Sequence, residues 1–163
     1  MILVTLEEFL MGQKNDLSPE LLANAERTIF KVNQLLALYF MDNPDAVRPK
    51  QASGYRSPAR NAATIGAAPT SEHMRCNADD LRDMPCLIGG RMQVRPLARW
   101  CFWRRHVLED LDLWMEDPRC TGGVLPWVHV QTVQPGSGNR FFIPSAEWAQ
   151  RLAGKPLTLD SIV

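Results

Sequence analysis

The sequence predicts an α+β domain on three observations. Apolar residues recur at helical spacing after Pro19 and again after Pro96, and near the C-terminus VLPWVHVQTV and RFFIP flank the turn residues PGSGN as a strand pair. A chain of 163 residues, 45% of them apolar, can bury a core of its own, so residues 1–163 are read as one domain.

The first element opens at Ser18-Pro19, a hydroxyl suited to cap a helix followed by the residue best tolerated at its first position. Leu22, Ala25, Ile29, Val32, Leu36 and Tyr39 then predict an amphipathic helix of about six turns, stopped by Met41-Asp42-Asn43-Pro44. A weak extended segment near Val47 leads into SGYRSPARNAATIGAAPTS, whose small residues suit a loop that lines a pocket. Within it Pro58 can start a short helix carrying Arg60, Asn61 and Ile65. Arg56, in a compact turn beside glycine, is suited to hold a carboxylate through two parallel hydrogen bonds, with a surface ion pair as the plainer alternative.

MPCLIGGRMQV predicts a turn and a short strand broken at Gly89-Gly90. Pro96 then opens a helix with Leu97, Trp100, Cys101, Leu108, Leu111 and Trp114 on one stripe, which leaves His106 off it as a surface or packing residue. That helix yields to Glu116-Asp117-Pro118. WVHVQT and RFFIP are expected to pair as an antiparallel hairpin, and a short helix from Ser145 to Leu152 is the last element before a tail to Val163.

Eighteen basic and eighteen acidic residues cancel, so no overall field recruits nucleic acid or an anionic membrane, although RMQVRPLARWCFWRRH is locally basic. MILVTLEEFLM has neither the basic start nor the long apolar run of a signal peptide, and no stretch approaches the ~20 apolar residues of a membrane span. The expected product is cytoplasmic as synthesised, with neither nucleic acid nor membrane as partner. Cys76, Cys86, Cys101 and Cys120 are far apart without a CxxC pair, which predicts free buried thiols.

The chain holds three histidines, His73, His106 and His129. His73 stands in turn-like SEHMRCNADD with Asp79 and Asp80 close behind it. His129 lies between Val128 and Val130 in an alternating strand, on the face the valines do not use. Two imidazoles and one carboxylate from separate elements could converge as a three-ligand metal site. A satisfied histidine and a capping aspartate would produce the same residues.

SGYRSPARN, SEHMRCNADD and WVHVQT, in that order, resemble the SGYRS…N…G…SxHxxGxAxD…WxHxQ pattern of the zinc D-Ala-D-Ala carboxypeptidase and murein endopeptidase superfamily. The likeness covers roughly residues 53 to 143, within a motif-bearing core of about 45–145, and LWMEDPRCTGGVLPWVHVQTVQPGSGNRFFIP is similar to a phage and prophage subgroup. The resemblance implies a small antiparallel sheet packed with helices, of the D-Ala-D-Ala carboxypeptidase and hedgehog-like type, with zinc held on the sheet side. It assigns His73, Asp80 and His129 as the metal ligands and Zn2+ as the cofactor. Ser71 matches the hydroxyl that lines the substrate pocket, and Arg56 the arginine that holds substrate or developing oxyanion charge.

The implied activity is hydrolysis of D-amino-acid amide bonds in peptidoglycan stem peptides, by a phage lysis enzyme or virion-associated factor acting at the cell wall. Two positions depart from the pattern. Pro126 stands where many members carry the proton-transferring acid, three residues before the last histidine, and Cys76 stands where the motif has glycine. Glu116 is the best replacement base and Asp117 the second. The missing acid also admits a catalytically impaired structural or binding component of a phage particle, with other virion proteins as partners.

Overall fold

The structure, a computed structural model, describes residues 3–13 and 17–163. Two helices precede the sheet. Thr5 caps the short α1 (Leu6–Leu10), where its hydroxyl and the Glu8 carboxylate satisfy each other's backbone amides. Ser18 caps α2 (Pro19–Asp42) through Leu21 N, and the buried stripe runs Ala25, Thr28, Val32, Leu35, Leu36, Tyr39, as its 3–4 spacing requires. Asn33 ties the N-terminal strap to α2 by accepting from Leu3 and Val4 N and donating to Val4 O.

A five-stranded sheet follows from β1 (Gln51–Ser53), β2 (Ala78–Arg82), β5 (Trp114–Glu116), β6 (Trp127–Gln131) and β7 (Phe141–Phe142), in the order β1-β2-β6-β5-β7. A separate hairpin joins β3 (Cys86–Ile88) to β4 (Arg91–Gln93). The helices α3 (Pro58–Ala63), α4 (Pro96–Trp103), α5 (Arg105–Asp110) and α6 (Ala146–Leu152) complete the α+β architecture. Leu81, Met115, Val128 and Val130 project from one sheet face into a cluster with Val32, Leu36, Leu97 and Cys101. All four cysteines are free and buried. No helix among the described residues is long and apolar enough to cross a membrane.

Several expectations need correction. The sheet is mixed rather than antiparallel, because β7 runs parallel to β5. WVHVQT and RFFIP form no hairpin: β6 has β2 on one edge and β5 on the other, which sends β7 to the far side of β5. The helix from Pro96 does not reach Trp114. With Leu97, Ala98 and Cys101 buried, a continuing helix would turn Arg104 and Arg105 onto the same face, and the chain breaks at Arg104 instead. Asp112 then takes a left-handed conformation, and Trp114 begins a strand. Gly89 and Gly90, both at positive φ, make a two-strand hairpin where a turn and one strand were expected. Finally, α3 stops at Ala63 and leaves Ile65 fully exposed beyond it.

Candidate metal centre

The sheet face turned away from the core carries the chemistry. Ser53 is registered against Asp80 and Asp80 against His129. In the antiparallel β5–β6 pair Trp114 faces Gln131 and Met115 faces Val130, so one step further Glu116 stands opposite His129. Glu116 is in turn registered against Phe142, whose ring lies 6.0 Å from that of His129. Because side chains alternate along a strand, Ser53, Asp80, His129, Glu116 and Phe142 form one row across five strands.

His73 enters this row from above, on the 3-10 turn Glu72–Arg75. Ser71 caps the turn, its hydroxyl accepting from His73 N, and Cys76 ends it at φ 57°. A left-handed residue here explains why a glycine suits this position in the motif, and Cys76 meets it with its side chain packed in the core. Thr28 on α2 fixes the same corner by donating to Cys76 O at 2.8 Å.

His73 Nδ1 lies 2.7 Å from Gly54 O. A carbonyl can only accept, so the proton sits on Nδ1 and the Nε2 lone pair points into the site. There Nε2 has no hydrogen-bond donor, although Asp80 Oδ2 is 3.3 Å away. With Nε2 unprotonated, two lone pairs face each other across a buried gap, an arrangement that a cation between them would satisfy. Gly54 makes the arrangement possible, because a Cβ there would come within 2.2 Å of Phe9 O.

Ligand atoms of His73, Asp80 and His129 all lie within 4.8 Å of one another, and the two imidazoles meet edge to face at 5.1 Å. Two nitrogens and one carboxylate are the donor set of a three-ligand catalytic zinc site, and the unpartnered Nε2 is the atom such an ion would satisfy, so the residues fit the implied metal. Asp79, the neighbour that spacing alone left in contention, points into the core. It is fully buried and takes a hydrogen bond from Gln51.

Electrostatics separate the three candidate ligands. Burial holds the His73 imidazole below its ordinary range, and Asp80 only partly offsets it, which favours the neutral form. Burial also pulls on His129, but its 2.8 Å hydrogen bond from Nδ1 to Asp80 Oδ1 and the carboxylate's charge outweigh that and raise it to about 9. For Asp80 the burial cost is overcome by His73 and His129, which hold the carboxyl well below the usual range.

Arg56 is not free in its turn. Its Nε donates to Ser53 Oγ at 2.8 Å and its Nη2 to Asp80 Oδ2 at 2.8 Å, which leaves Nη1 as the donor not spent on this network. Glu116 is a half-buried strand residue rather than a helix-end carboxylate. Burial raises its pKa, partly countered by His129. Asp117, the second candidate base, is held by Arg119 through both oxygens, at 2.9 and 2.6 Å. Pro126 contributes only its carbonyl, which accepts from Asp83 N. His106 is exposed on α5, away from the row.

Sequence reasoning missed the support around the centre. Asp83, one residue past β2, accepts from Leu97 N and Ala98 N and caps α4. Arg95 then joins Asp83 Oδ2, Pro118 O, Thr121 Oγ1 and Trp127 O, so one buried guanidinium fixes the ends of β2 and β6 and the loop between β5 and β6. No local signal marks that pair, since its partners are 12 to 32 residues apart. Ser53 and Phe142 were hidden for the same reason.

The fold and the row define an α+β protein with a candidate divalent-metal centre. No protein-family model matches the chain, and neither a curated protein nor a solved structure matches it significantly.

Proposed function

We propose that this chain is a zinc-dependent peptidase that hydrolyses D-amino-acid amide bonds in peptidoglycan stem peptides, as a phage lysis or virion-associated enzyme of the zinc D-Ala-D-Ala carboxypeptidase and murein endopeptidase superfamily. The observation that carries the reading is the convergence of His73, Asp80 and His129, with a desolvated carboxylate, Glu116, across from His129 and a guanidinium, Arg56, beside Asp80.

His73, Asp80 and His129 would hold the ion. When bound, zinc supplies Lewis-acid polarisation of the scissile carbonyl and lowers the pKa of water. The other roles belong to the protein. Glu116 takes a proton from the attacking water and returns it to the leaving amine, and its burial moves it toward the neutral pKa that a general base needs. Arg56 directs Nη1 at substrate carboxylate or at negative charge developing on the carbonyl oxygen, while Ser53 and Asp80 keep its guanidinium fixed. Phe142 closes the far side of His129 with an apolar edge.

The test is incubation of the zinc-loaded protein with purified murein and mass analysis of the released peptides, with His73→Ala as control. Cleavage next to a D-residue, lost in the control, supports the proposal. A zinc-bound protein that leaves murein intact would instead be the catalytically impaired virion component.

A further inference from the structure

A second site lies at the C-terminal end of α2, away from the metal centre. The turn bearing His73 is pinned near Thr28, and Asp42 comes 14 residues later, roughly 21 Å along the helix. There Asp42, Asn43, Trp100, Trp103 and Arg104 line an open cavity of about 370 Å³, within the size range of small-molecule sites.

Its lining is amphipathic in a specific way. Trp103 is 72% exposed, a large apolar ring left in water on the last residue of α4. Trp100 forms a fixed wall: its ring packs edge-on against Tyr39 at 5.6 Å, and its Nε1 donates to Asp42 Oδ2 at 2.9 Å. Arg104 Nε donates to the same oxygen at 3.0 Å. These donors converge on Oδ2 alone. Asp42 Oδ1, Asn43 Oδ1 and Arg104 Nη1 accept or donate no hydrogen bond among the described residues, and the Asp42 and Arg104 side chains are 39% and 49% exposed.

The charges cancel within the cavity, since Asp42 and Arg104 pair at 3.0 Å. A cation would meet Arg104 and an anion Asp42, so neither ion is favoured. An exposed indole face beside an immobilised acid, amide and guanidinium instead matches a ring with one apolar face and a rim of hydroxyls. We propose that this cavity binds a neutral pyranose, a saccharide-anchoring site separate from the metal centre. Trp103 supplies the stacking face, and Asp42, Asn43 and Arg104 grip the hydroxyls. The site stands on its own cavity and needs no metal. If the peptidase reading holds, the glycan strand of the same murein is the natural source of the sugar.

Calorimetric and tryptophan-fluorescence titrations of the full chain with N-acetylglucosamine, cellulose-type and starch-type hexasaccharides test it. Saturable binding of at least one hexasaccharide is expected, weakened at least about tenfold in Trp103→Ala and largely kept in Trp103→Tyr. His73→Ala should bind as the wild type does. Preference for the N-acetylglucosamine chain points to murein glycan, and preference for another chain to a different surface polysaccharide. Absence of saturable binding to all three, or equal affinity in Trp103→Ala, overturns the proposal. Saccharide binding without murein cleavage would sink the peptidase reading and leave this site standing, and cleavage without saccharide binding would do the reverse.

Discussion

Glu116→Gln removes one negative charge and almost no volume from the row opposite His129. Cross-strand neighbours stand with Cβ atoms about 5 Å apart, so the carboxylate is within side-chain reach of the space between the ligands without ligating there itself. The three ligands and the Asp80–His129 hydrogen bond stay intact in the variant, and zinc content is expected to remain at the wild-type level. Loss of a positioned general base typically slows turnover by about 10²–10⁴, equivalent to roughly 3–5 kcal/mol on the barrier.

The pH profile adds a second readout. Only the ionised carboxylate accepts a proton, and burial raises the Glu116 pKa, so wild-type kcat should fall toward acid with a limb above the ordinary glutamate range. Glu116→Gln should lack that limb. Stopped murein-peptide hydrolysis followed by chromatography from pH 5 to 8 measures both, with Asp117→Asn as comparison, since Arg119 already occupies that carboxylate. Turnover in Glu116→Gln within about threefold of wild type, with the acid limb unchanged, would refute the assignment.

Three further outcomes follow from the same geometry. The raised His129 is protonated below about pH 9 without metal and must lose that proton to ligate, so zinc affinity should climb about tenfold per pH unit between pH 6 and 8, as competitive chelator titration can read. Asp79→Asn should stabilise the protein by roughly 1–3 kcal/mol near neutral pH, because Asp79 Oδ2 and Gln51 Oε1 are buried without partners and an amide pair would satisfy both. Since burial raises the Asp79 pKa, wild-type stability is greatest below the ordinary aspartate range and declines as pH rises through the elevated value; urea midpoints of the variant should lack that decline. Gly54→Ala, which drives a Cβ into Phe9 O, should cost about 3 kcal/mol in urea unfolding and weaken zinc binding by disturbing the carbonyl that orients His73.

Much of this was legible from local sequence. Ser18-Pro19 and the stripe from Ala25 to Tyr39 define α2 because capping and helical burial act within a few residues of chain. The alternation in WVHVQ placed His129 opposite the core valines for a similar reason. The strand β5 was not legible. Its three residues follow apolar positions that continue a helical spacing, and only the two arginines that would have been buried break the pattern. Missing β5 also misplaced Glu116 and suggested the wrong partner for RFFIP. The choice between Asp79 and Asp80 came from motif likeness, and physically it depends on which face of β2 meets His129, a matter of register between strands far apart in sequence.

The central claim is that His73, Asp80 and His129 form a zinc site, and zinc K-edge absorption of the purified, zinc-loaded chain tests it most directly. About one tightly held zinc per chain is expected, with two nitrogen ligands near 2.0 Å and oxygen ligands near 2.0–2.2 Å, lost in both His73→Ala and His129→Ala. A sulfur-rich shell, or zinc content unchanged by both substitutions, would contradict it.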